Sequence, residues 1–275
     1  MKNRSLHRLP ILFGIALLFS CSNAEKWVFQ KEISLNDISP IGLIATDQHL
    51  WLSDVANNRI IKTDLKGKVV ESYSGFERPM HIALHQSKIY VPEYTTDTLK
   101  VLANGKTGFL SLGEKPDAPA SVAVSEKGIA VADFYNGRVL FQTNGKTIII
   151  GKEGHGPGEL YYPTDVEIYD GKIYVADAYN NRAQVFDLGG NSLLTIGESD
   201  GIQVATGIHL MDQHIFITDF EGNRILRYDL YGNLKQVLHN KLNKPTDVYI
   251  HLDKMFVSNY GSNSFLIFKS KCIIC

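Results

Sequence analysis

The feature that most constrains this chain is a strand–turn–strand phrase that recurs six times at a period near forty residues. Its clearest copy is Lys172 to Asn191, KIYVADAYNNRAQVFDLGGN. Apolar residues alternate at Ile173 and Val175, and again at Phe186 and Leu188, the period-two pattern of half-buried strands. Asn180, Asn181 and the Gly189–Gly190 pair are turn formers. In each copy an acidic or amide residue ends one strand, and the next strand opens five residues later. These anchors are Asp54, Glu93, Asp133, Asp177, Asp219 and Asn259, at spacings of 39, 40, 44, 42 and 40. At the fifth position after them stand Arg59, Thr98, Arg138, Arg182, Arg224 and Ser264. Two hairpins per unit make four strands, and four-stranded units repeated radially are the blades of a β-propeller.

The units open at Pro40, Pro79, Pro119, Pro163, near Ala205 and at Pro245. In the fourth unit the outermost strand begins about fifteen residues after Asp177, and the same count from Asn259 lands on Ile274. The sixth unit therefore lacks a fourth strand. The segment Trp27 to Leu35, WVFQKEISL, precedes every repeat and is free to supply it. That offset closes the ring without an unpaired seam. The expectation is an all-β, six-bladed β-propeller with four-stranded blades over residues 27–275. Each blade would bury its faces only against its neighbours.

Asp165 to Gly189 resembles the NHL repeat, with its Pro-x-Asp strand, its V-A-D strand end, its N-N-R turn and its closing Gly turn. The connector Gly154 to Pro163, GHGPGELYYP, is similar to the Gly-Pro-Gly linker of that family. The chain also resembles the six-bladed-propeller lipoproteins of unassigned function from Bacteroides-like bacteria, over residues 27–270. The resemblance implies a fold and leaves the activity open, because scaffolds, lyases and lactonases share this architecture.

Lys2, Arg4 and Arg8 form a basic head, and Leu9 to Ala24 carries no charge. The apolar run Ile11 to Phe19 is too short to span a bilayer and reads as a secretory signal over residues 1–20. The junction Leu18 to Cys21, LFSC, resembles a bacterial lipobox, with Phe19 an unusual occupant of the free position. That resemblance implies a lipid on Cys21, a short tether over 21–26 and a place in the bacterial cell envelope, since multiple acyl chains anchor stably. The alternative is an ordinary signal cleaved near Ala24. Removing residues 1–20 takes away three positive charges and moves the formal net charge from −1 to −4. A balance of that sign points away from nucleic acid. Cys272 and Cys275 form a C-x-x-C after a strand, where a terminal disulfide is the economical reading; a zinc site needs four ligands and no second pair exists.

The start of each innermost strand and the turn after each second strand lie on one face, where loops on a rigid scaffold carry function. The Pro-x-x positions there are Gly42, His81, Ser121, Asp165, Gly207 and Asp247. Blades 2, 4 and 6 thus offer His81, Asp165 and Asp247 at threefold spacing, a set that suits a divalent cation such as zinc, manganese or iron. The competing reading is ordinary repeat consensus, with carboxylates capping backbone N–H groups. Amidating lyases of this family use several channel histidines with zinc. This chain offers one at the matching position, with His209 two residues deeper in blade 5. The turn aromatics Tyr94, Phe134 with Tyr135, Tyr179, Phe220 and Tyr260 could form a ring suited to sugars or apolar peptide side chains. The Asp-x4-Arg pairs recur in four of six blades and read as structural braces. His155 and Glu159 sit among glycines in a connector that reads as a shaped turn. The function expected is a ligand- or protein-binding, scaffolding module with no obligatory cofactor, its partner a protein, peptide or glycan. The alternative is a metal-dependent lyase or lactone hydrolase working at the channel mouth.

Overall fold

The computed structural model describes residues 24–273; the signal segment and Cys21 lie outside the described residues. It contains six sheets of four antiparallel strands, and each sheet is one blade of a ring. Blade 4 is typical, with strands Pro163–Tyr169, Lys172–Asp177, Arg182–Asp187 and Ser192–Ile196 from the axis outward. The β-propeller read from the repeat is thus the fold observed.

The ring closes as the missing strand requires. Ala24–Ser34 pairs antiparallel with Ser264–Ile273, from Ala24 opposite Ile273 to Ser34 opposite Ser264, and becomes the outer strand of blade 6. The strand begins three residues before the expected Trp27. Its backbone is also tied sideways to blade 5. The Trp27 N–H donates to Gln236 Oε1 at 3.1 Å, and Gln236 Nε2 donates back to the Trp27 carbonyl at 2.9 Å. The Trp27 indole lies edge-on to Phe216, 6.0 Å between ring centres.

Each hydrophobic cluster is shared by two adjacent blades. Val185 and Ile196 of blade 4, for example, pack with Ile208, Ile215 and Leu226 of blade 5. The closing interface joins Leu43, Leu52 and Ile61 of blade 1 to Phe256, Phe265 and Ile267 of blade 6. Apolar burial contributes roughly 25 cal/mol per Å². Because it is distributed between blades, no blade holds a core of its own.

The six anchors explain why the phrase repeats. Each is buried, and each accepts the backbone N–H of the connector that enters its blade. Asp54 takes that of Ser39 at 2.9 Å, Glu93 that of Glu77 at 2.8 Å, and Asp133 that of Asp117 at 2.7 Å. Asp177, Asp219 and Asn259 take those of Tyr161, Gln203 and Asn243 at 2.7, 3.0 and 2.7 Å. Four anchors then pair with the arginine five residues on, at 2.6 to 2.9 Å. The residue just before that fifth position is left-handed in every blade. Asn58, Asp97, Gly137, Asn181, Asn223 and Asn263 have φ between 46° and 58°. Asn, Asp and Gly tolerate that region best, which accounts for the N-N-R pattern.

The two departures are repaired differently. In blade 2 the longer Glu93 accepts from Thr98 at 2.6 Å and pairs with Lys100 at 3.0 Å, so the cation comes from seven residues on. In blade 6 the amide of Asn259 donates to Ser264 Oγ at 3.2 Å, and Ser264 donates to Glu32 Oε1 at 2.9 Å. The carboxylate that blade 6 lacks is thus supplied by the closing strand.

Asp177 accepts from the Tyr161 N–H, Asn180, Arg182 and Gln184 while fully buried. We expect Asp177→Ala to cost about 3–5 kcal/mol, because it removes the shared acceptor of four donors, among them the buried Arg182 Nε. Urea unfolding followed by circular dichroism measures it, and a loss under 1 kcal/mol would refute the bracing role.

Candidate functional site

Five of the six innermost strands slip register at the same place. The slip lies between Pro119 and Ser121, Pro163 and Asp165, Ala205 and Gly207, and Pro245 and Asp247, with a longer one between Pro40 and Leu43. A bulge re-aims the next side chain, and here it turns the Pro-x-x residue toward the ring axis. In blade 2 the innermost ladder shrinks to Ala83–His85, and His81 pairs instead with Ser121 of blade 3 in a parallel bridge. Its N–H donates to the Ala120 carbonyl at 3.1 Å, and its carbonyl accepts the Val122 N–H at 3.3 Å.

Small residues on the alternate blades permit this convergence. A Cβ on Gly42 would lie 2.7 Å from His81 Cα, and one on Gly207 would lie 2.6 Å from the Thr246 carbonyl oxygen. With the inner strands this close, His81, Asp165 and Asp247 come together. One ligating atom from each lies within 4.8 Å of the others, the only such group of three among the described residues. His81 Nδ1 is 3.8 Å from Asp165 Oδ2 and 3.6 Å from Asp247 Oδ2.

Both carboxylates also bridge blades. Asp165 Oδ2 accepts the Ile208 N–H of blade 5 at 2.8 Å, and its Oδ1 accepts Ser121 Oγ of blade 3 at 2.6 Å. Asp247 Oδ2 accepts the Leu43 N–H of blade 1 at 2.8 Å. Consensus capping and convergence on the axis are therefore properties of the same two side chains.

Burial disfavours the His81 imidazolium, but the Asp165 and Asp247 carboxylates outweigh it and hold its pKa above the ordinary value. Burial likewise pushes Asp165 up to about 7, against the pull of His81. The three groups are 4%, 6% and 7% exposed, which sets them beneath the surface of the channel mouth and not on it.

Below them a cavity of about 160 Å³ continues along the axis. One side is apolar, with Ile44, Ala83 and Ala123 from blades 1 to 3; the other carries Glu167, His209 and Tyr249 from blades 4 to 6. His209 does not join the upper cluster. Its Nδ1 pairs with Glu167 Oε2 at 3.1 Å, and its ring lies over Tyr249 at 4.7 Å. Burial disfavours its charged form, yet the adjacent Glu167 raises its pKa above the ordinary value.

The aromatic turns do not form the expected ring. They resolve into one arc over blades 2 to 4 and a separate pair in blades 5 and 6, because the long blade 3–4 connector adds two rings that the period could not announce. Tyr94 meets Phe134 at 5.6 Å and Tyr135 at 5.8 Å. Phe134 stacks on Tyr162 at 4.8 Å, and Tyr162 contacts Tyr161 at 4.4 Å and Tyr179 at 5.1 Å. Arg78 lies over Tyr94 at 5.0 Å, and the Tyr94 hydroxyl donates to that of Tyr135 at 2.9 Å. Burial and the Tyr135 hydroxyl hold the Tyr94 phenol above its ordinary pKa, so it stays a neutral donor. Tyr135 and Tyr179 remain 50% and 57% exposed, which leaves ring surface free for a ligand. The pair Phe220 and Tyr260 is looser, at 6.4 Å, with Lys244 over Phe220.

The connector beneath the arc is braced from within. Glu159 Oε2 accepts the N–H groups of Gly156 at 2.9 Å and His155 at 3.2 Å. His155 Nδ1 meets Asn180 Oδ1 at 2.6 Å, and Arg182 Nη2 donates to the Gly156 carbonyl at 2.7 Å. These contacts give Glu159 a turn-holding role. Sequence reasoning missed Glu167, Arg78, Tyr161 and Tyr162. Glu167 had a signal, being the next axis-facing position after Asp165; the connector residues had none.

A family model described as a 6-bladed beta-propeller matches residues 117–200. No curated protein sequence matches the chain. Among solved structures, a streptogramin B lyase is similar over 90% of this chain and 98% of its own, at 14% identity and a TM-score of 0.68. A catalytically inactive virginiamycin B lyase from Staphylococcus aureus with quinupristin is similar over 91% and 87%, at 18% identity and 0.67. A protein of unknown function from Bacteroides thetaiotaomicron is similar over 90% and 72%, at 12% identity and 0.68. At these identities the likeness establishes the six-bladed fold alone.

Proposed function

We propose that this propeller is a binding module of the bacterial cell envelope and that its ligand docks on the aromatic arc of blades 2 to 4. The observation that carries this reading is the arc itself: contiguous rings with Tyr135 and Tyr179 half exposed, edged by phenol hydroxyls and the Arg78 guanidinium. Ring faces beside hydroxyl donors suit a glycan, whose sugars present apolar C–H faces rimmed by hydroxyl groups. An apolar peptide side chain is the next best occupant. The arc sits on a rigid scaffold, so little ordering cost attends binding.

The enzyme alternative draws support from the lyases among the similar structures. Against it, His81, Asp165 and Asp247 are all buried beneath the channel mouth, which leaves them little access to a substrate.

We expect Tyr135→Ala and Tyr179→Ala each to weaken glycan binding about tenfold, or roughly 1.4 kcal/mol, without altering the unfolding midpoint. Glycan and peptide arrays followed by calorimetry measure it. Retention of peptides in place of glycans would move the ligand class, and undiminished binding by both variants would remove the arc from the function.

Envelope attachment through Cys21 is part of the same proposal and rests on the basic head, the short apolar run and the LFSC junction. The full-length chain should incorporate labelled fatty acid and fractionate with membranes, and Cys21→Ser should do neither. Labelling that survives the substitution would overturn the attachment site.

A further inference from the structure

We propose that His81, Asp165 and Asp247 bind one divalent cation of the zinc class on the propeller axis, where it ties blades 2, 4 and 6 together. Three observations bear on this site, the second following from the first. The first is geometric. His81 Nδ1 stands 3.6 and 3.8 Å from two carboxylate oxygens, too far for hydrogen bonds. Two ligands that share one tetrahedral ion at about 2.1 Å lie roughly 3.4 Å apart, so His81 stands near ligand spacing from each carboxylate, and the set, which lies within 4.8 Å, would seat a cation by drawing inward.

The second is an unpaired atom. His81 Nδ1 is buried and finds no hydrogen-bond partner. A buried polar atom left without one costs about 1–3 kcal/mol, which a cation or an ordered water would recover. The atom points into the same gap as the two carboxylates.

The third is the outer contact of each carboxylate. Asp165 Oδ2 and Asp247 Oδ2 each accept one backbone N–H from the next blade, at 2.8 Å. An oxygen that accepts one hydrogen bond keeps a lone pair for a metal. Such second contacts fix the orientation of metal-binding carboxylates. Ser121 Oγ holds the remaining oxygen of Asp165, so that side chain has little freedom to turn away. The 160 Å³ cavity beneath has room for water to complete the coordination.

The ligand chemistry decides the kind of ion. One imidazole with two carboxylates suits zinc, manganese or iron(II); calcium prefers six to eight oxygens. The cation neutralises two carboxylates that would otherwise share a buried site with one imidazole. It would act as a clasp between alternate blades, on the axis where the close approaches at Gly42 and Gly207 already draw the inner strands together. The proposal is independent of the aromatic arc, which lies on the loops above.

The test uses the purified protein with Cys272 and Cys275 replaced by serine, so that thiolates cannot hold zinc. The protein is stripped with EDTA at pH 7.5 and dialysed. It is then titrated with zinc chloride and, separately, manganese chloride in a calorimeter, with elemental analysis and thermal unfolding in parallel. We expect about one ion per chain, a rise in unfolding temperature on loading, and a fall in affinity of at least tenfold in His81→Gln and in Asp247→Asn. Circular dichroism checks that each variant folds. If neither does, the unsubstituted ligand set decides the matter through its own stoichiometry and thermal shift. Absence of both with either metal would overturn the proposal and leave ordered water in the gap. An ion retained undiminished by both folded variants would overturn it too, because it must then bind elsewhere.

Discussion

A buried side-chain oxygen that accepts the backbone N–H of an incoming connector is the contact on which this structure depends. The same anchor closes a turn on one side and holds the guanidinium of its own blade on the other. Asp177 shows how dense the arrangement becomes, with one carboxylate serving four donors. Because the anchor is charged and buried, its partners must be present, which is why arginine recurs at a fixed distance. Where the phrase drifts, the chemistry is conserved by other routes. Lys100 reaches Glu93 from farther along its strand, and Glu32 reaches blade 6 from the opposite end of the chain.

The second constraint acts at the axis. Six inner strands converge there, and every second one carries a residue small enough for close approach. Gly42 and Gly207 have no room for a side chain, because the backbone at His81 and at Thr246–Asp247 closes on them, and His81, Asp165 and Asp247 meet nearby on the axis. The alternation therefore belongs to packing before it belongs to chemistry. It nevertheless concentrates imidazole and carboxylate in one buried place, with an amphipathic cavity below. The aromatic arc answers to different physics. It is confined to three blades because the long connector Gly154–Tyr162 exists once, and Tyr161 and Tyr162 bridge what the turns alone would leave apart.

The ring, the number of blades and the closing strand were legible in the sequence because each follows from a period or from its interruption. So was the convergence of the Pro-x-x set, since one bulge is repeated at equivalent positions. Contacts between different parts of the repeat were not legible. Lys100 stands outside the phrase that names Arg59 or Arg182, and nothing local assigns it to Glu93. Glu167 and His209 sit on different blades and meet only through the curvature of the ring. The arc was read as a ring because the period places an aromatic on most turns, whereas ring-to-ring contact depends on connector length, which varies.

The central claim is that the ring is a single cooperative unit closed by its N-terminal strand. Trp27 lies in that strand against Phe216 of blade 5, and Trp51 is the other tryptophan of the chain. In a Trp51→Phe variant, fluorescence reports the closing strand alone while far-ultraviolet circular dichroism reports all six blades. Urea unfolding of that variant should give coincident transitions with one midpoint. Loss of the Trp27 signal at clearly lower urea, with the sheet signal intact, would contradict the account and make the closing strand an appendage of a ring that stands without it.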